Sequence, residues 1–214
     1  MWRRARVVVI SPSSFEAQVS LRREYTCQST CVTLPRMSLA EVRIRPATEA
    51  DLPAIDAIFN REILEGVATW DIEPWTAGAR LVWFHAHAHA HAHEREGEAV
   101  FVADARGEVA GFAHLSFLSP RFPYRATRTD SVYLRPDFQR CGLARLLVTA
   151  VLDEARRTHA HLVIAGIDSE NAASIALHRS LGFEVMSSLP EAGWKFEQWR
   201  TLVQMGVILD ASSR

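Results

Sequence analysis

Cysteine is scarce in this chain: three residues in 214, an odd number. A closed disulfide framework is therefore not expected, and the count suits a reducing compartment. Cys27-x-x-x-Cys31 has no second ligand pair near it, so it does not read as a zinc site. Charge of either sign is equally lacking in excess, with 24 Lys and Arg against 25 Asp and Glu and a formal net charge of −1. That balance argues against a nucleic acid or an anionic membrane as partner. No apolar run approaches the roughly 18 to 20 residues that span a bilayer. What remains is a composition 48% hydrophobic and 23% charged, enough for one full-sized core.

The first 36 residues differ from the rest, with six arginines and only two acids. Val7-Val8-Val9-Ile10 is too short for the apolar stretch of a signal peptide, and Glu16 and Glu24 do not suit an acid-poor transit peptide. Residues 1–36 therefore read as a leader outside the core, dispensable, disordered or a misassigned start, with the domain over 37–214. One segment is low in complexity, the alternating His85 to His93 tract. On a helix His85, His89 and His93 would share a face, and histidines so spaced hold Zn, Ni or Cu. Alternating dipeptides arise more often by repeat expansion, and no metal is expected here.

Regular patterning starts at Glu41 to Arg45, a short strand. Thr48 with Asp51 forms a helix start, and Leu52, Ile55, Ile58, Phe59 and Ile63 follow at helical spacing until Gly66. Thr76 caps a second helix containing Leu81, Val82 and Phe84. Ala99 to Ala103 and Val109 to Leu115 read as strands joined by a hairpin turn at Asp104 to Gly107. Arg128 to Leu134 is a strand, and the helix after it carries Leu143, Leu146, Leu147, Ala150 and Val151 on one stripe. His161 to Ile167 is a buried strand, Asn171 to Leu181 a helix, Phe183 to Met186 a short strand and Thr201 to Leu209 the last strand. Strands that first meander and later alternate with helices give an α/β class with a mixed sheet.

Two segments carry the chemistry. In the first, a strand ending Ser131-Val132-Tyr133-Leu134 leads through Gln139-Arg140-Cys141-Gly142-Leu143-Ala144 into a helix. Small residues at Gly142 and Ala144 admit backbone N–H groups close to a ligand, and the helix adds the positive end of its dipole. The result is an anion site suited to a pyrophosphate, with Arg140 and Arg145 near for charge. Cys141 stands at a helix N-terminus, where thiol pKa falls, yet reads as a tolerated loop residue rather than a nucleophile. The second segment, Asn171-Ala172-Ala173-Ser174-Ile175-Ala176-Leu177-His178, puts Asn171, Ser174 and His178 on one side of a helix that ends at Gly182.

In this order the motifs resemble those of the GCN5-related N-acetyltransferase superfamily. Within it they are most similar to the phosphinothricin and methionine sulfone or sulfoximine N-acetyltransferases, whose final Gly-x-Lys-Phe-x-x-Trp is also matched from Gly193. The resemblance covers about Glu41 to Leu209. It implies that superfamily's fold, a mixed and mostly antiparallel sheet flanked by helices, and acetyl-CoA as acetyl donor. It places the coenzyme on the backbone of Val132, Tyr133 and Leu134, on the loop Gln139 to Arg145, and on Asn171 with Ser174. It makes His178 a proton carrier. It lets Trp70, Arg121, Tyr124, Arg125, Ser131 and Lys195 line the acceptor site, with Arg121 clamping a carboxylate.

The sequence departs from the family at the base. Where the family has Thr-Val-Glu-x-Ser-Val-Tyr-Val, this chain has Thr127-Arg128-Thr129-Asp130-Ser131-Val132-Tyr133-Leu134. Thr129 holds the position of the catalytic Glu. Asp130 would serve only if a bulge re-aimed it, since successive strand residues face opposite sides. The expectation is a cytoplasmic homodimer acetylating the α-amino group of phosphinothricin, methionine sulfoximine or methionine sulfone, a detoxifying activity. Two alternatives stand beside it: an acetyltransferase for a protein N-terminus or another small amine, and an acyl-CoA-binding protein with weak or no turnover, which Thr129 encourages.

Overall fold

The computed structural model describes residues 41–88 and 98–209, all within the unit Ser38–Arg214 into which the chain divides after Met37. The leader read over 1–36 lies outside the described residues, as do His89, His91 and His93 of the alternating tract.

Strand β1 (Val42–Pro46) leads into a 3-10 turn at Glu49–Asp51 and helix α1 (Leu52–Glu65). Asp51 accepts hydrogen bonds from the Thr48 N–H and hydroxyl at 2.8 and 3.0 Å, and Arg45 forks onto its two oxygens at 2.8 Å each. The expected helix start is therefore built, and Gly66 closes α1 by donating its N–H to Glu62 O at 2.9 Å. Helix α2 spans Ala77–Ala88, with Thr76 Oγ1 accepting from the Ala79 N–H at 3.2 Å. Leu81 and Val82 are exposed, and Arg80 is buried beside Phe84. A guanidinium goes inside because Asp56 pairs with it at 2.7 Å and the rings of Phe59, Trp75 and Trp83 surround it at 4.3 to 4.8 Å.

Strands β2 (Ala99–Ala105) and β3 (Glu108–Phe117) form the expected hairpin. Its two loop residues, Arg106 and Gly107, have φ of 56° and 89°, the backbone that matches a right-handed strand twist. Helix α3 (Leu143–Arg157) follows the loop as expected, and strand β4 (Thr127–Leu134), strand β5 (Leu162–Asp168) and helix α4 (Ala172–Ser180) fall where expected to within one residue. The final hairpin does not. Strand β6 runs Glu184–Lys195 and β7 runs Gln198–Ile208, both longer than the sequence pattern shows. Pro190 and Gly193 are poor strand formers, but β6 is an edge strand where proline is tolerated. Its register with β7 shifts between Leu189 and Gly193 to take up the irregularity. The turn is hidden too, because Phe196 and Glu197 (φ 53° and 56°) occupy positions usually held by Asn or Gly.

The seven strands lie in the order β1-β2-β3-β4-β5-β7-β6, antiparallel except for β4 with β5. One face packs Ile55, Ile58, Phe59 and Ile63 of α1 and Phe84 of α2 on Val100, Val102, Phe112 and Tyr133. Burying side chains of this size contributes about 1.5–3 kcal/mol each. Alternate strand residues Ala103, Ala113 and Leu115 are equally buried, so the opposite face is covered as well. There α3 lies across β1 to β4 and α4 against β5. Asp130 falls on that second face, and Thr129, Ser131 and Tyr133 on the first.

Candidate active site

The parallel pairing of β4 with β5 extends only from Thr127 and Leu162 to Asp130 and Ala165. Beyond it β4 runs on to Leu134 along β3, while β5 follows β7 to Asp168. The two central strands diverge, and past Asp130 the β5-side edge of β4 presents backbone N–H and C=O groups that no strand among the described residues pairs. A cleft of about 620 Å³ opens there. Val132, Tyr133, Leu134, Gln139, Arg140, Gly142, Leu143, Ala144, Arg145, Asn171 and Ser174 all line it. Eleven of the twelve residues expected to hold the coenzyme are thus brought to one place. The exception is Cys141, which is exposed and donates its thiol to Phe138 O at 2.9 Å.

The loop ends in Gly142, at φ 88° and ψ −1°, directly before α3. That left-handed residue turns the chain so that the first helical N–H groups, which have no partner further back in the helix, are presented at the cleft. Arg145 donates to Ser180 O and Oγ at 3.2 and 2.8 Å, so its charge is anchored between the two helices, while Arg140 is exposed. At the start of α4 the Asn171 Oδ1 accepts the Ser174 N–H at 3.1 Å. This cap spends the amide oxygen and leaves the NH2 for a ligand.

Asp130 and His178 meet beneath the divergence. His178 Nε2 is 3.1 Å from Asp130 Oδ2, both side chains being buried. His178 Nδ1 lies 2.8 Å from Ser174 O and 3.3 Å from Ser174 Oγ. Burial lowers the imidazole pKa, but the Asp130 carboxylate and the Ser174 carbonyl outweigh it and hold it above its ordinary value of 6.5. Among the described residues Asp130 Oδ1 has no hydrogen-bond partner. No bulge interrupts the register of β4 on β3. Asp130 is therefore not re-aimed to the face of Thr129, as the substitute-base reading required, because the extended backbone alternates and α4 supplies a partner on its own side. His178, read as facing the ligand, instead has both ring nitrogens engaged below the cleft floor.

The expected acceptor residues are dispersed. Trp70 donates its indole N–H to Asp168 Oδ2 at 2.9 Å and packs on Gly193, where a Cβ would come within 2.3 Å of its ring. Lys195 is buried and donates to Thr69 O at 2.7 Å and Glu62 O at 3.3 Å, tying the loop after α1 to the last hairpin. Burial lowers its pKa. Lys195 is drawn inward to the carbonyls of Thr69 and Glu62, which need donors, and Trp70 to the Asp168 carboxylate. Arg121, Tyr124 and Arg125 are exposed around a 3-10 turn at Phe122–Tyr124, with Arg125 over the Phe122 ring at 4.4 Å. Only Ser131 stays beside the cleft, lining the small cavity above Asp130 and His178. Tyr133 gives its backbone; its ring stacks on Phe112, and burial pushes its phenol pKa far up.

Sequence reasoning missed the buried pair Arg200 and Asp168, a fork with distances of 2.7 and 2.8 Å. Burial alone would raise the Asp168 pKa, but Arg200, the Glu170 N–H and the Trp70 indole hold it below the usual carboxylate range. It also missed a polar group on the first face: His87 Nε2 is 3.0 Å from Ser116 Oγ, which is 3.1 Å from His114 Nδ1. The signal was present, since His114 and Ser116 share the inward parity of Phe112 in an otherwise apolar strand. Among the described residues no cluster of three metal-ligating side chains forms, and no helix is long and apolar enough to cross a membrane.

Residues 59–183 match the acetyltransferase (GNAT) family model. An L-methionine sulfoximine/L-methionine sulfone acetyltransferase of Salmonella typhimurium is 39% identical over 167 residues, 78% of this chain and 94% of that one. A phosphinothricin N-acetyltransferase of Alcaligenes faecalis is 31% identical over 170 residues, 78% and 83% of the two chains. Among solved structures, a GNAT superfamily phosphinothricin acetyltransferase from Sinorhizobium meliloti in complex with AcCoA superposes with a TM-score of 0.74 at 29% identity, over 81% of this chain and 92% of that one.

Proposed function

The chain belongs to the acetyltransferase (GNAT) family, and from that membership we propose that it moves acetyl from acetyl-CoA to the α-amino group of a small amino-acid analogue. Methionine sulfoximine, methionine sulfone and phosphinothricin are the acceptors that its relatives' names support. Capping the amine of such an analogue would remove the charge that lets it mimic an amino acid, a detoxifying reaction. The observation that carries the reading is the divergence of β4 from β5, because it supplies unpaired strand amides and a helix N-terminus around one cleft.

Acetyl-CoA is a substrate of the reaction, and the cleft fits its parts. The Gly142 turn and the first N–H groups of α3 suit a pyrophosphate. The β4 edge from Val132 to Leu134 offers N–H groups to an amide-rich arm and to the oxyanion of the tetrahedral adduct, and a preorganised donor there lowers the barrier by about 2.7–4 kcal/mol. For the departing sulfur, Ser174 lines the cleft and touches His178, whose other nitrogen Asp130 holds. A proton leaving His178 Nδ1 passes through the Ser174 hydroxyl to the thiolate, and the neutral imidazole keeps its Nε2–H on Asp130. Ser174 is thus the acid at the cleft, and His178 with Asp130 its reservoir.

The family resemblance supports a homodimer in the cytoplasm. The exposed faces of Trp194 and Trp199, 5.0 Å apart on the final hairpin, suit self-association. Sedimentation at two concentrations reads the oligomeric state. The activity is tested by free-thiol release from acetyl-CoA against a panel of amino-acid analogues, simple amines and N-terminal peptides. Turnover confined to the sulfone, sulfoximine and phosphinothricin supports the reading; coenzyme binding without transfer to any amine overturns it.

A further inference from the structure

In this chain no carboxylate faces the acceptor from β4: position 129 is Thr, and Asp130 is committed to His178 on the other side of the sheet. The neighbouring strand fills that face differently. In the β3–β4 register His114 stands opposite Ser131 and Ser116 opposite Thr129, so His114 is the diagonal neighbour of Thr129, close enough for long side chains to share one site. We propose that His114 is the proton acceptor for the incoming amine, with Ser116 and His87 forming a relay that carries the proton away. The inference rests on the acetyltransferase reading.

The arrangement of protons follows from the acceptors. His87 Nδ1 is 2.8 Å from Trp83 O, so this nitrogen carries a hydrogen. With both imidazoles neutral, His87 Nε2 accepts the Ser116 hydroxyl proton at 3.0 Å, and Ser116 Oγ accepts Nδ1–H of His114 at 3.1 Å. Among the described residues nothing donates to His114 Nε2, which is left as a bare lone pair. Trp83 stands edge-on to the ring at 5.3 Å, and both histidines are half-buried.

Burial pushes the His114 pKa down to about 3, helped by His87 and Arg80. The groups facing it are Arg80 and His87 from α2, with Asp56 of α1 holding Arg80 at 2.7 Å. Glu98, on the β2 side, accepts from the Phe117 N–H, and β4 offers only the uncharged Thr129 and Ser131. An imidazolium is therefore not stored at His114, and the proton moves on. As the amine attacks, its N–H bond breaks and Nε2–H forms on His114. Nδ1–H passes to Ser116 Oγ, and the Ser116 proton passes to His87 Nε2. The reset runs the relay backwards. His114 loses Nε2–H to solvent as Nε2–H of His87 returns to Ser116 Oγ and the Ser116 proton returns to His114 Nδ1. One proton leaves in all, and both histidines regain their starting tautomers. No further reactant is needed.

The experiment uses the full chain in two readouts. Nitrogen-15 NMR of the histidines, without any ligand, should show His114 neutral and protonated on Nδ1 alone across about pH 5 to 9. In turnover with the best acceptor of the panel, His114→Gln should lower kcat by ~10²-fold, the usual size of general-base help, with acetyl-CoA affinity held. Adding Thr129→Glu to His114→Gln should recover at least about tenfold, since a carboxylate then returns to that face. Ser116→Ala should lower kcat with KM held, and Ser116→Thr should restore it, a pattern that loss of packing would not give. A His114 protonated on Nε2, or a His114→Gln enzyme with kcat near wild type, overturns the inference alone. A wild-type chain that binds no acetyl-CoA, or acetylates nothing, overturns the acetyltransferase reading and this inference with it.

Discussion

Gly142 is the residue on which the coenzyme reading turns. Its φ of 88° belongs to the left-handed region, and it immediately precedes the free N–H groups of α3. Asp tolerates that backbone better than most side chains, so Gly142→Asp tests charge more than strain. Its carboxylate would sit where phosphates are held and occupy the donors meant for them. An unfavourable charge here is worth up to ~2 kcal/mol, so acetyl-CoA affinity should fall by about 10- to 30-fold in calorimetry. An unchanged affinity removes the phosphate assignment. This site was legible in the sequence because it is local: a strand, small residues and an apolar-striped helix follow one another within fifteen positions. The partners of Lys195 and Trp70 were not legible for the opposite reason. Their side chains answer to carbonyls and a carboxylate more than ninety positions away, and no local spacing records that.

Between elements, the buried pair of Asp130 and His178 joins β4 to α4 under the divergence. His178 is read as raised above 6.5, so in the folded state it binds a proton more tightly than in the unfolded chain. Its contribution to stability is therefore fully present below about pH 6.5 and lost as pH rises through the folded pKa. His178→Ala leaves the carboxylate buried and unpaired, and should cost about 3–5 kcal/mol in denaturant unfolding near pH 6. Asp130→Asn in the same background should return part of that loss, because a neutral amide costs less to bury. Full wild-type stability for the single variant would show that the pair is not formed. At the far edge, Gly193→Ala drives a methyl into Trp70 and should destabilise by about 1–3 kcal/mol, read as a lower melting temperature. The elements most legible in the sequence were those with strong periodicity, α1, α3 and the β2–β3 hairpin. The last hairpin was not, since Pro190, Gly193 and a Phe-Glu turn obscure a pairing that long-range contacts with β5 impose.

At the scale of the whole molecule, the described residues, 41–88 and 98–209, contain a seven-stranded sheet whose two faces are both covered by described elements. Among the described residues the cleft draws on α1, β4, the Gly142 loop and α4. In the Salmonella typhimurium acetyltransferase, 94% of the chain matches 78% of this one. A domain tolerates loss of a terminal segment when that segment supplies neither buried area nor backbone partners. A chain beginning at Met37 should accordingly keep its acetyl-CoA affinity and its kcat. Its melting temperature should stay within about 2–4 °C of the full chain, the shift that 1 kcal/mol produces in a domain of this size. Side-by-side thermal unfolding, calorimetry and thiol release decide it. A larger fall in melting temperature would place the leader in the core, and loss of turnover with stability kept would place it at the cleft.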